Sequence, residues 1–488
     1  MRILFIYPNV ARQKMPQLGI CSLAAVARQL TNECDMYDLT VIPRGQEIEA
    51  FRSKMKAFEP DILAVSCRSN ELNFINRLFR AVDLKKSIKI FGGPHATVAP
   101  DDFDELADIV VLGEGEETFA EILENIGGRR DITAIKGCWI NRGRTTVKNG
   151  LRELIPDLDL LPIPYWRIFD GIHYYNCYVR SLFKGARVVG TFEASRGCPY
   201  ACSYCSNDYF RRLYQNNKKW RREKSPERIV REIQAFRRDY GLDCVCWIDE
   251  IFLTNTERLR RFSELYRSEI GKPFLFMERP ENMTDEKVRV IKKAGAQWVS
   301  IGIESGNEHI RRDLLNRHYP NRTILDAFQT ARRYQLKSHA FTMIGFPGED
   351  RNAIFETYVM LREARPTTAQ TTIFFPLKGT ALYEKVAAEG LINPATCVLS
   401  NFYNGSSLSF TPEKKRQLLR DQLLLVNYDL VSPRIFVLAE NNKLIFAGLK
   451  VIDRCRRSYR QFREVGLRYA LRAIIRRLWS KFRRSKFK

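Results

Sequence analysis

The chain has no run of about 18 apolar residues, so no segment is expected to span a bilayer. It opens Met1-Arg2-Ile3-Leu4-Phe5-Ile6-Tyr7-Pro8, an apolar stretch cut by proline and too short for a secretory signal. No repeat and no low-complexity tract is visible. Cysteine is sparse, twelve in 488 residues, which excludes a disulfide scaffold. Together these absences predict a cytoplasmic protein whose cysteines are free, metal-bound or redox-active. Acidic residues are also short, 56 Asp and Glu against 80 Lys and Arg, a formal net charge of +24. That excess asks for a polyanionic partner, an anionic membrane or anionic substrates. What remains is ordinary for a folded protein: 45% hydrophobic and 28% charged residues, with length for roughly three domains.

The pattern of apolar runs predicts two successive αβ alternations. In the first, strands are expected at Ile3 to Tyr7, Asp61 to Cys67, Lys89 to Gly92 and Asp108 to Leu112. Helices are expected at Leu18 to Leu30 and Thr118 to Ile126. This predicts an α/β, doubly wound (Rossmann-like) domain over residues 1–130, with ligands beyond the strands' carboxyl ends. Glycines and prolines mark a connector at 131–187. A second alternation over 188–395 has six strand–helix units, with helices expected among others at Thr256 to Glu269, Asp285 to Ala294 and Arg351 to Ala364, and predicts a partial (βα)6 barrel with function at the strand C-termini. Residues 396–488 are expected to be helical and increasingly basic.

The strongest local signal is Ser195-Arg196-Gly197-Cys198-Pro199-Tyr200-Ala201-Cys202-Ser203-Tyr204-Cys205, directly after an expected strand. Three cysteines on one tight loop can converge on a metal centre. Thiolates suit iron–sulfur clusters or zinc, and zinc would want a fourth protein ligand. Cys244 and Cys246 share one face of a strand and read as core.

The cysteine spacing, with an aromatic before the last cysteine, resembles the radical SAM superfamily. The resemblance implies a [4Fe-4S] cluster held by Cys198, Cys202 and Cys205, with one iron left open to bind S-adenosylmethionine. Reductive cleavage of that cofactor yields a 5′-deoxyadenosyl radical. Strand ends of the elongator-protein-like type then match in order: Asp249 and Glu250, Glu304 and Ser305, and Gly345. The resemblance places Tyr204, Glu304, Ser305 and Gly345 near S-adenosylmethionine, and makes Asp249 and Glu250 candidate catalytic carboxylates.

A doubly wound domain ahead of such a barrel resembles the cobalamin-binding radical SAM proteins, over roughly residues 1–390. Gly92-Gly93-Pro94-His95 and Gly113-Glu114-Gly115-Glu116-Glu117 carry that resemblance. It implies cobalamin contacts at Gly92, Gly93, His95, Glu114 and Gly115. The Asp-x-His-x-x-Gly motif of His-ligated cobalamin proteins is missing after the first strand, so no histidine there is expected on cobalt. Methylthiotransferases acting on tRNA share the barrel but add three early cluster cysteines and a terminal β-barrel, which this chain does not match.

Much of the charge excess is local. Residues 450–488 hold 15 Lys and Arg against Asp453 and Glu464, a net of +13. Leu467, Leu471, Ile474, Ile475, Leu478 and Phe482 form a helical apolar stripe, as expected of a helix lying on an anionic membrane. Nucleic acid is not an expected partner. The reading is an enzyme that modifies an unactivated carbon of a hydrophobic small molecule, by cobalamin-dependent methylation or by cyclisation or oxidation. Its electron donor is expected to resemble flavodoxin or ferredoxin. A cluster- or cobalamin-based sensor without turnover is the alternative of a different class.

Overall fold

The computed structural model describes residues 1–438, apart from 144, 176–177, 216–219 and 393–404, together with 446, 449, 450 and 453. Strand β1 (Arg2–Tyr7) is buried from Ile3 onward, because apolar residues on both of its faces need cover. Ile3, Phe5 and Tyr7 enter one core and Leu4 and Ile6 another, on opposite sides of the sheet. The sheet continues through β2 (Glu33–Asp38), β3 (Ile62–Ser66), β4 (Ile88–Gly92) and β5 (Ile109–Val111), all parallel. Its strand order is 2-1-3-4-5, extended by the antiparallel pair β6 (Cys138–Arg142) and β7 (Thr145–Lys148). The order reverses between β1 and β3, and that switch opens a crevice at their carboxyl ends.

Two features of this sheet differ from the sequence expectation. Strand β2 reads Glu-Cys-Asp-Met-Tyr-Asp, too polar to show as a buried run, because it is an edge strand. The stretch around Gly137 to Gly150, assigned to the connector, is the β6–β7 hairpin and belongs to the first sheet.

The second sheet comprises β8 (Val189–Phe192), β11 (Cys244–Trp247), β12 (Phe274–Glu278), β13 (Ala296–Glu304), β14 (Lys337–Ile344) and β15 (Thr368–Ile373). Its six strands are parallel in sequence order, an arc that ends at β8 and β15 without pairing them. Between β8 and β11, the short antiparallel pair β9 (Ser195–Arg196) and β10 (Arg222–Glu223) frames the cysteine loop. Outer helices cover the arc. Those at Thr256–Glu269, Asp285–Ala294 and Arg351–Ala364 have the bounds their amphipathic pattern predicts. Asn255, Thr284 and Asp350 cap their first turns through side-chain oxygens.

Beyond the arc, the helix Pro412–Val426 packs on β15 and on the helix Arg351–Ala364. The basic apolar stripe at 467–482 lies outside the described residues. Among the described residues no helix is long and apolar enough to cross a membrane.

Candidate functional site

The cysteine loop leaves β9 through Gly197 at φ +84, where a Cβ would sit 2.4 Å from the Trp220 carbonyl oxygen. Only glycine fits that approach. Bonds from several elements then fix the loop. The Trp220 indole donates to the Cys198 carbonyl at 3.1 Å, Arg221 to the Gly197 carbonyl at 3.0 Å, and Asn316 to the Ala201 carbonyl at 2.7 Å. Cys198 and Cys202 are buried and Cys205 is half-buried. Burial pushes the Cys198 thiol up to about 11 and that of Cys205 up to about 12, and charge on the neighbouring thiolates adds to both.

The three sulfurs therefore sense one another in a dry loop, and a cationic centre would draw them into the thiolate form. Among the described residues no trio of His, Cys, Asp or Glu closes on a point as a single ion requires. An iron–sulfur cubane takes its thiolates on different irons and can leave one iron without a protein ligand, which suits three cysteines, whereas structural zinc wants a fourth protein ligand. Arg279 Nη1 donates to Cys202 Sγ at 3.0 Å, an additional bond that orients this sulfur.

Beside the loop, the ends of β12 and β13 assemble a charged pocket. The Arg279 guanidinium stacks 3.7 Å above the Tyr200 ring, and Arg317 donates to Tyr204 Oη at 3.0 Å and to Glu304 Oε1 at 3.1 Å. Glu304 itself adopts φ +65, an unusual conformation for a residue other than glycine. Burial raises its carboxyl while the Arg317 charge opposes that rise. Fixed positive and negative charge thus lie next to the cysteines.

Other residues singled out by sequence lie elsewhere. Ser305 is fully buried, and its hydroxyl accepts from the Asn307 N–H within its own turn. Gly345 has φ +84, and a Cβ there would lie 3.1 Å from Leu418 Cδ1 and 3.3 Å from Ile373 Cγ2. Asp249 accepts the Ala194 N–H at 3.0 and 2.9 Å and the Ser195 hydroxyl, so it holds the turn leading into β9. Burial pushes its carboxyl up to about 7. Glu250 is exposed and accepts from Asn207 Nδ2 at 3.2 Å.

A cavity of about 380 Å³ lies beyond the carboxyl ends of β1, β3, β4 and β5 and opens on the barrel rim. Gly92, Gly93, Glu114 and Gly115 line it from one side, and Arg196, Gly197 and Glu250 from the other. Gly93 has φ +92, and a Cβ there would lie 2.9 Å from Ser66 Oγ, so the backbone itself forms the wall. His95 is not in this lining. Its ring contacts Ser69 Oγ at 3.0 Å and Asp102 at 3.1 Å and sits edge-on to Phe103. The acidic loop is neutralised from the barrel. Glu114 accepts two bonds from Arg222, both at 2.8 Å, and Glu116 accepts from Arg196 at 2.6 Å.

Sequence reasoning missed Arg279, Arg317, Arg196 and Arg222. The signal available was position only: Arg279, Arg196 and Arg222 stand at or next to strand ends, and Arg317 lies in the loop after β13, in a chain rich in arginine.

Comparison with known proteins agrees with this geometry. Residues 192–361 match the family model for the radical SAM superfamily, and residues 6–123 match that for the B12 binding domain. An uncharacterized methyltransferase of Pyrococcus horikoshii is 27% identical over 413 residues, covering 80% of this chain and 84% of that one. The cytidylyl-2-hydroxyethylphosphonate methyltransferase of Streptomyces wedmorensis is 26% identical, covering 70% and 69%. The anaerobic magnesium-protoporphyrin IX monomethyl ester cyclase of Cereibacter sphaeroides is 23% identical, covering 79% and 64%. The fold is shared with a radical S-adenosylmethionine methyltransferase of Kitasatospora setae, solved with cobalamin and a [4Fe-4S] cluster. The TM-score is 0.62 at 15% identity, covering 80% of this chain and 75% of that one.

Proposed function

We propose that this chain, a radical SAM enzyme with a B12-binding domain ahead of its barrel, methylates an unactivated carbon of a hydrophobic small molecule. When bound, the cluster supplies the electron that splits S-adenosylmethionine, and cobalamin supplies a methyl group to a substrate radical.

One observation carries the reading: a single cavity has the first sheet's glycine loops on one wall and the cysteine loop's Gly197 on the other. Cys198, Cys202 and Cys205 hold the cluster. Arg279 and Arg317 bind the carboxylate of S-adenosylmethionine and Glu304 its amino group, a charge complement fixed before the ligand arrives. Tyr204 packs beneath them. Ser305 and Gly345 support this rim from behind, and Asp249 positions the start of the cysteine loop. Gly92, Gly93 and Gly115 let backbone approach the cobalamin, while Glu114 orients the barrel rim against it. Glu250 is the one of the two candidate catalytic carboxylates that faces the cavity, where it holds or accepts a proton. Flavodoxin or ferredoxin serves as the electron donor.

The named relatives include both methyltransferases and a cyclase, so the test separates these reactions. Anaerobic, reconstituted protein given reductant and S-adenosylmethionine is expected to release 5′-deoxyadenosine and S-adenosylhomocysteine. Deoxyadenosine without S-adenosylhomocysteine favours cyclisation or oxidation. Neither product from protein with an intact cluster contradicts the reading, and Cys202→Ala should abolish both.

A further inference from the structure

A second cavity, of about 1650 Å³, runs through the barrel arc itself. Strands β11 to β15 wall it, with alternate residues of one face on β13 (Trp298, Ser300) and on β14 (Lys337, His339, Phe341). Its upper end shares Gln17 and Ile248 with the smaller cavity, so the two spaces adjoin. Its lower end, at the amino-terminal ends of the strands, turns basic. Lys184, Arg187 and Lys337 are all exposed there, and Asp429 is the one acid among the described residues of the lining. The two further cations of the lining are already engaged. Arg68 pairs with Glu71 at 2.9 Å and Arg180 donates to the Tyr175 carbonyl at 2.8 Å.

Between the two ends Leu275, Met277, Trp298 and Phe341 give the wall its apolar surface, with Ser300, His339 and Thr368 as polar interruptions. The Trp298 indole donates to the Leu182 carbonyl at 2.9 Å, its ring packs with Leu275, and the Lys337 ammonium lies 5.4 Å from that ring. Phe341 continues the surface four residues further along β14, about 13 Å at the rise of a strand. Such a passage fits a long ligand with different ends.

We propose that the substrate is an elongated amphiphile bearing an oxyanion, a carboxylate or a phosphate. Lys184, Arg187 and Lys337 hold the anionic head at the lower mouth. Trp298 and Phe341 carry the apolar body, and the reacting carbon reaches Ile248, where the cavities meet. The proposal rests on the radical SAM reading for the reaction at that carbon, but not for the binding.

Calorimetric titration of the anaerobic holoenzyme tests it, with dodecyl phosphate, dodecanoate and dodecanol as probes below their aggregation concentrations. Either oxyanion is expected to bind more tightly than the alcohol. The triple variant K184Q/R187Q/K337Q should lose about tenfold or more of the oxyanion affinity. Its affinity for dodecanol, which the apolar wall carries, should be retained and controls for folding. Equal binding of dodecanol and both oxyanions by the wild type, or unchanged oxyanion affinity in the variant, overturns the proposal. Selective binding in a protein that never cleaves S-adenosylmethionine would instead overturn the catalytic reading and leave this one standing.

Discussion

Glu114→Gln tests how the two sheets are joined. The Glu114 carboxylate is 15% exposed, and the Arg222 guanidinium bound to it is 6% exposed. Two charge-assisted bonds at 2.8 Å join them, the Ile155 N–H adds a third at 3.0 Å, and Arg196 stands 3.5 Å away. An amide keeps one acceptor oxygen but no charge. Arg222 would then be a buried cation whose partners are all neutral: the retained amide oxygen and the Ile155 and Trp220 carbonyls. Breaking a buried pair by removing one member costs about 3–5 kcal/mol, and the retained acceptor points to the lower end, about 3 kcal/mol. Replacing both charges by apolar groups of similar volume is far milder, so Glu114→Leu with Arg222→Met should recover most of the loss. The assay is urea denaturation of both singles, the double and the wild type, read by tryptophan fluorescence and by cobalamin release. A cost below about 1 kcal/mol for Glu114→Gln, or additive single effects in the double, would refute the clamp.

Gly197→Ala places a methyl against the Trp220 carbonyl at a φ that L-residues rarely adopt, so bound iron per chain should fall severalfold in parallel reconstitutions. Glu349 is 5% exposed, and burial pushes its carboxyl from 4.5 to about 8, against the opposing charge of Lys414 and with the support of Asp421. Its protonated form therefore favours the folded state: that contribution is complete below about pH 4.5 and is lost as the pH rises to about 8. Glu349→Gln should flatten the pH dependence of the unfolding free energy from urea denaturation in this window by up to about 1.4 kcal/mol per pH unit; identical slopes would contradict it. If the stripe expected at 467–482 lies on an anionic membrane, the full chain should float with anionic liposomes and not after removal of residues 450–488; equal binding to neutral liposomes would exclude an electrostatic origin.

Elements whose burial is set by their own pattern were legible in the sequence. The outer helices at 256–269, 285–294 and 351–364 carry a polar face and a capping residue, so both ends are written locally. Strand β2 was not legible, because an edge strand is specified by its neighbour β1 and not by its own hydrophobicity. The cysteine loop was readable because ligand spacing is local. Its surroundings were not. Arg279 and Arg317 act through contacts with Cys202 and Glu304 across the arc, and nothing in an arginine-rich sequence distinguishes them from solvated neighbours. Asp249 and Glu250 looked alike as adjacent carboxylates at one strand end. Only the fold shows that the first faces inward onto Ala194 and the second faces the cavity.

The most direct measurement of the central claim is metal content per chain, by elemental analysis of anaerobically reconstituted protein offered iron, sulfide, zinc and cobalamin together. About four irons and one cobalt per chain, with the iron lost and the cobalt kept in Cys202→Ala, is the predicted result. Zinc in place of iron, or iron without cobalt, would contradict an enzyme that holds a cluster and cobalamin on opposite walls of one cavity.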